Sequence, residues 1–428
     1  MNVKIIQKRI SLFLLLILSV TGFSLAQNIE IADTVKTDSL NLTMKIVPDG
    51  DRKEKNVLNT GDDLFDESFV GSWPMFGTDL RMKIGGYFKA DFVADFNGTL
   101  DNSQFLMSTI PVEGQPEYGN SGYVNFFAKE SRFNIDVRRI EKGKVPLKLF
   151  IEGDFFSSET HFRLRHAYMV VGDFIFGQTW TTLSFLEAMP NMIDFAAGDA
   201  LYGGRAVQAR YQKKVSNNIL LAVGIEQLSF LGIENPDNLN GQATRKLPLL
   251  AARMDYSWKT GILFLGGSLA QLAWDGGANG ASHNALQLNG AIALRQYYAN
   301  KRGYFTAGMS YGMGAGENII AFAGSNANAV LSNNGLKTIP ALSSSVGLNF
   351  KWTDKLASNI HYAYGWLETP PEREPFALKR GGIGHLNLIY NPINRISTGL
   401  EYIWGAQRTS NDAFGRASRI QFMTKFEF

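Results

Sequence analysis

The chain has 428 residues, a formal net charge of +3 and no cysteine, which excludes a disulfide scaffold, a thiolate metal site, a thiol nucleophile and a lipidated-cysteine anchor. Glycine is plentiful (43), proline sparse (13) and aromatic residues make up 12%, a balance that favours many strands and turns over helices. Charge is scattered rather than clustered, so nucleic-acid binding has no support.

The first element is a leader. Lys4, Lys8 and Arg9 precede an apolar run over residues 12–23, and Ser24-Leu25-Ala26 follows as a small-x-small site. Residues 1–26 therefore read as a secretory signal peptide cleaved after Ala26. Its apolar core is shorter than the roughly 20 residues a spanning helix needs, and no later stretch comes close. Cleavage removes three bases and no acid, so the net charge falls to zero. Residues 27–70 carry ten acids against five bases and show no sustained periodicity, so a periplasmic segment of short helix or disorder is expected there. The remainder, 71–428, keeps the positive excess.

From Leu80 the text changes to long runs of period two. Leu80, Met82, Ile84, Gly86, Phe88, Ala90 and Phe92 share one side, and Arg81, Lys83, Tyr87, Lys89 and Asp91 the other. A soluble sheet and a membrane barrel both alternate this way, but soluble strands have about 5–6 residues and these runs are about twice that. Sixteen such segments are predicted: 80–96, 122–140, 145–156, 161–171, 173–182, 204–214, 218–230, 247–258, 261–275, 283–299, 303–315, 340–353, 356–368, 381–391, 395–408 and 416–428. An even number suits a bacterial outer-membrane barrel. Connections alternate in length. Tight ones such as Glu141-Lys142-Gly143-Lys144 and Asn391-Pro392-Ile393-Asn394 read as periplasmic turns, and the longer 97–121, 183–203, 229–246, 316–339 and 369–380 as extracellular loops. The final run places Ile420, Phe422, Phe426 and Phe428 on one face and Arg419, Gln421, Lys425 and Glu427 on the other. A terminal phenylalanine strand of this kind resembles the element that the barrel-assembly machinery recognises in bacterial outer-membrane proteins. The fold expected is all-β, a transmembrane antiparallel barrel of about sixteen strands in the outer membrane of a Gram-negative cell, with both termini periplasmic.

Several segments resemble DcaP-like porins: Asp66-Glu67-Ser68-Phe69, residues 81–89 (RMKIGGYFK), Ser131-Arg132-Phe133, residues 151–155 (IEGDF), 163–168 (RLRHAY), 177–182 (GQTWTT), Gly399-Leu400-Glu401-Tyr402 and Arg419-Ile420. The likeness runs from about residue 66 to the end, with its motifs concentrated in the first third and the last strands. It implies a homotrimeric sixteen-stranded channel with an inward-folded constricting loop that passes small negatively charged solutes. Residues 27–65 have no clear counterpart to the coiled-coil-like N-terminal segment of some members.

Selectivity in a pore comes from the charges that line it. Strand parity places Arg132, Arg163, Arg165, Arg210, Arg253, Arg295 and Arg419 on the lumen side as anion-selecting candidates, with Lys89 and Lys148 nearby. Acids on the same wall, among them Asp91, Glu130, Asp136, Glu152, Asp154, Asp255 and Glu401, offer the competing reading of wall-bracing ion pairs. The apolar content of 183–203 (Met189, Pro190, Met192, Ile193, Phe195) suits a loop folded into the barrel, which would set Glu187, Asp194 and Asp199 opposite the arginines as a porin eyelet. The alternative is an external loop at a trimer contact. Trp258, Trp352, Trp366, Tyr390, Tyr402 and Trp404 read as interfacial girdle residues. His161, His166, His283, His361 and His385 show no linear metal-ligand spacing, and no metal or cofactor is expected. The leading expectation is a passive, non-enzymatic porin for small hydrophilic solutes, favouring organic anions such as dicarboxylates. The rivals are a phospholipase-like barrel hydrolase built on an outward His166, and a non-conducting structural or adhesive barrel.

Overall fold

The computed structural model describes residues 69–428 apart from 121, 158, 190, 198 and 228–230. The predicted signal peptide and most of the predicted periplasmic segment lie outside the described residues.

Sixteen strands form the barrel. In chain order they are β1 (Leu80–Asp95), β2 (Val124–Phe127 continued by Arg132–Arg139), β3 (Leu147–Asp154), β4 (Arg163–Val171), β5 (Phe174–Trp180), β6 (Arg205–Lys214), β7 (Ile219–Glu226) and β8 (Leu249–Trp258). The second half comprises β9 (Gly261–Asp275), β10 (His283–Tyr298), β11 (Gly303–Met313), β12 (Pro340–Lys351), β13 (Leu356–Leu367), β14 (Leu378–Tyr390), β15 (Ile396–Thr409) and β16 (Phe414–Glu427). Each strand pairs antiparallel with its sequence neighbours, and β1 closes on β16 from Tyr87↔Glu427 to Asp95↔Arg419. Closure matters because hydrocarbon offers no partner to an unpaired backbone group, so a spanning sheet must have no edge.

The wall follows the alternation. On β14, Leu386, Leu388 and Tyr390 point outward and are exposed, whereas His385, Asn387 and Ile389 point inward and are buried. The same outward set recurs as Leu348, Ile360, Tyr362 and Leu400 on neighbouring strands. Trp352 and Tyr402 stand exposed among the outward aromatics, as a membrane-interface role requires. Phe428 donates its amide to Gly86 O at 3.1 Å and lies 5.6 Å from the Phe88 ring, so the last residue seals the seam between the first and last strands.

Two departures from strict parity carry consequences. The pairing of β3 with β4 shifts between Glu152 and Gly153, because Arg165 is an extra residue in β4. The bulge turns His166, predicted to face outward, to the inner side, where it is buried and its Nδ1 lies 3.1 Å from Thr179 Oγ1. The outer-wall hydrolase reading thus loses its base. Ile233–Glu234 pairs with Ala329–Ser332, which pairs with Gly335–Thr338 in a small separate sheet. A buried ion pair at 2.9 Å, Arg373 to Glu234, ties the 368–377 connection to it.

Candidate functional site: the barrel interior

The loop 183–203 packs against the inner face of the barrel, held by hydrogen bonds to groups on β12, β14, β15 and β1. The Glu401 carboxylate on β15 accepts the Ile193 and Asp194 amides at 2.8 and 3.1 Å. Lys89 on β1 donates to Ile193 O at 2.7 Å, Asn387 on β14 to Asn191 O at 3.0 Å, and Ser343 on β12 to Ala200 O at 2.9 Å. Apolar side chains do the rest: Phe185 stacks on Phe264 of β9 with centroids 5.0 Å apart, and Leu183, Ile193 and Tyr202 are buried.

Two further loops fold inward. Phe105, Met107, Ile110 and Val112 of 96–123 are buried against β14 to β16, and Ile319, Ala321 and Phe322 of 314–339 against β13 and its neighbours. The three loops bond to one another, Asp194 accepting the Phe105 amide at 3.1 Å and Asp199 O the Ala321 amide at 2.7 Å. Inward glycines make the room. A Cβ at Gly365 would stand 2.4 Å from the Phe322 ring, and one at Gly405 would stand 2.9 Å from both Phe105 and Ile110. The signal that flagged 183–203, apolar residues in a loop, was available for these loops too.

Beside β1, the inner face of β2 to β4 is charged. Arg163 bonds both oxygens of Asp154 at 3.0 and 2.9 Å. Arg165 reaches Glu152 at 3.2 Å and Asp154 at 2.7 Å, while Arg132 lies 3.9 Å from Glu130 and 4.0 Å from Glu152. Exposure is unequal within these pairs: the Arg163 side chain is 34% exposed and Asp154 0%, and Arg132 is 22% exposed against 13% for Glu130 and 14% for Glu152. Arg163 and Arg132 thus stand more exposed than the acids beside them, whereas Arg165, at 3%, is more buried than Glu152 at 14%. Phe195 of the inward loop stacks on Phe156 at 3.7 Å, with Arg163 and Arg165 each 5.6 Å from its ring. Arg205, which parity did not select because Ala206 and Gln208 hold the inward positions of β6, sits over Trp180 at 5.1 Å within electrostatic reach of Arg163 and Arg165.

Of the remaining candidates, Arg253, Arg295 and Arg419 are engaged by wall and loop groups. Arg253 pairs with Asp255 on its own strand at 2.6 Å and reaches Thr182 O and Ser184 O at 3.4 Å. Arg295 reaches Met189 O at 3.4 Å and lies over the Tyr304 ring. Arg419 is fully buried, bound to Asp95 at 2.9 and 3.0 Å and also to Thr99, Asp101 O and Tyr123. Arg210 is buried too, with Nε and Nη2 lacking a hydrogen-bond partner among the described residues. Lys89 is likewise committed, to Glu130, Asp91 and the loop.

The loop acids depart from the eyelet expectation. Glu187, Asp194 and Asp199 are all buried, turned into the packing between loop and wall rather than across the lumen at the arginines of β2 to β4. Asp194 accepts the Phe105 and Ala196 amides, Asp199 contacts His385 at 3.0 Å, and Glu187 faces Arg253. A carboxylate in a tight apolar turn satisfies nearby amides, and that local demand outweighs a cross-lumen role.

A closed sixteen-stranded barrel with a lipid-matched outer wall and loops tucked into a charged interior is an outer-membrane barrel of the porin class. The chain belongs to the DcaP outer membrane protein family, whose model matches residues 51–428. It is similar in fold to the crystal structure of the outer membrane channel DcaP of Acinetobacter baumannii, with 20% identity over 84% of this chain and 100% of that one and a TM-score of 0.73. The anion-selective porin from Comamonas acidovorans is similar at 11% identity, covering 82% of this chain and 100% of its own, with a TM-score of 0.55. OmpT of Vibrio cholerae in its trimer form matches at 13% identity over 82% of this chain and 99% of its own, with a TM-score of 0.51. No curated protein is significantly similar in sequence.

Proposed function

We propose that this protein is a passive, non-enzymatic diffusion channel for small hydrophilic solutes that favours small organic anions, dicarboxylates among them, and that it works as a homotrimer. The observation that carries the reading is the exposure of two arginines, Arg132 and Arg163, on the inner face of β2 to β4. Because Arg132 and Arg163 keep more exposure than the carboxylates that brace them, a solute in the lumen meets guanidinium first. Planar guanidiniums bind carboxylates in bidentate fashion and offset the desolvation that a narrow passage imposes. The family's channel and the anion-selective fold relative support the class; the trimer form of the Vibrio relative supports the assembly. The alternating wall ending at Phe428 supports delivery to the barrel-assembly machinery.

The inward packing of three loops favours one rival, a barrel closed to flow. Reversal potential across a planar bilayer in a potassium chloride gradient tests both readings. The wild type should carry current with anion preference, and Arg132→Gln with Arg163→Gln should lower that preference by removing two cations and uncovering the acids beside them. Cation preference in the wild type, or an unchanged potential in the double variant, would sink the anion assignment.

A further inference from the structure

The residues that pin the inward loop include a group whose chemistry exceeds hydrogen bonding. His361 on β13 and His385 on β14 are directly opposite in the strand register, their ring centroids 6.0 Å apart. Asp199 descends from the loop onto the same point, with Oδ2 3.0 Å from His385 Nε2. One ligand atom from each of the three residues lies within 4.8 Å of the others, and all three residues are buried. Hydrogen bonding alone leaves the set incomplete, since Asp199 Oδ1 and His361 Nδ1 are buried without a partner among the described residues. Each is an atom of the kind that ligates a metal ion.

We propose that Asp199, His361 and His385 form a binding site for a divalent transition metal of the zinc class, which clamps the loop 183–203 to the barrel wall. Two imidazoles and a carboxylate suit zinc and disfavour calcium and magnesium, which take oxygen ligands. Glu401 completes the arrangement: its Oε1 lies 3.2 Å from His385 Nδ1, holding that ring so that Nε2 points to the metal. A tetrahedral zinc with bonds of about 2.0–2.1 Å holds its ligands about 3.4 Å apart, so modest closure of the three side chains seats the ion. The site is independent of the lumen arginines and of which solute passes.

The test is zinc binding by the purified, folded barrel after chelation and dialysis, with the metal counted per chain and cobalt(II) absorption as a spectroscopic probe. The control is His161→Gln with His283→Gln, which removes histidines outside the cluster. Wild type and control should each bind one zinc per chain, and cobalt should give tetrahedral bands that zinc displaces. Glu401→Gln should weaken binding about 10- to 100-fold, and Asp199→Asn and His361→Gln more than that. Variants count when they run as folded barrels on unheated gels; His361→Gln alters a ring nitrogen that has no partner, and the wild-type cobalt spectrum decides the matter without any variant. No saturable zinc binding, octahedral cobalt bands, or equal affinity in wild type and His361→Gln would show a hydrogen-bonded cluster only.

Discussion

Replacing Glu401 with alanine should release the inward loop without unfolding the barrel. Its carboxylate accepts the amides of Ile193 and Asp194, the Asn387 side chain at 2.8 Å and the His385 ring, all in a fully buried position. The variant leaves two backbone N–H groups of the loop without a partner, at about 1–3 kcal/mol each. The loss to docking is therefore on the order of 2–6 kcal/mol, and with about 1.4 kcal/mol per factor of ten the ratio of docked to released loop falls more than tenfold. None of the sixteen-strand ladder runs through those amides, so the folded band on unheated gels should persist. In planar bilayers the variant should show larger and noisier single-channel currents. Chymotrypsin should cut near Phe185 or Phe195, where the wild type is protected. Unchanged conductance, noise and protection together would refute the claim that Glu401 docks the loop.

Arg419→Met strands the buried Asp95 carboxylate and should lower stability by about 3–5 kcal/mol, read as the urea midpoint of the folded band; adding Asp95→Leu should recover most of it. Gly405→Val sets new carbon atoms against Phe105 and Ile110, already only 2.9 Å from a Cβ there, and should cost about 1–3 kcal/mol in thermal stability, whereas the outward Ala406→Val should be silent. Deleting Phe428 removes the ring contacts to Phe88 and Phe133 and should cut the yield of assembled barrel in cells more than the refolding of purified chain in detergent; equal losses would place the defect in stability rather than recognition.

Strand positions, orientation and the closing seam were legible because alternation in a barrel wall is obligatory on both faces, one wet and one in lipid. Val124–Phe127 and Arg132–Arg139 show where it lapses, the strand breaking across 128–131. His166 was misplaced because one inserted residue, Arg165, reverses parity, and a bulge leaves no mark in composition. Lumen-facing and wall-bracing arginines look alike in sequence: Arg163 and Arg419 share parity and type and each pairs with a fully buried aspartate, and only the contacts of Thr99, Asp101 and Tyr123 to Arg419 separate the buried guanidinium from the exposed one. The loop acids Glu187, Asp194 and Asp199 were read for charge when their local amides and ring partners decide their direction. His361 and His385 lie 24 positions apart with no motif between them, and their meeting is set by hairpin register.

Single-channel recording of the purified wild-type protein in planar bilayers tests the central claim most directly. The account predicts steady ohmic open current that a small dicarboxylate in the bath reduces and that carries more anion than cation. A barrel that inserts but shows no open current would contradict it.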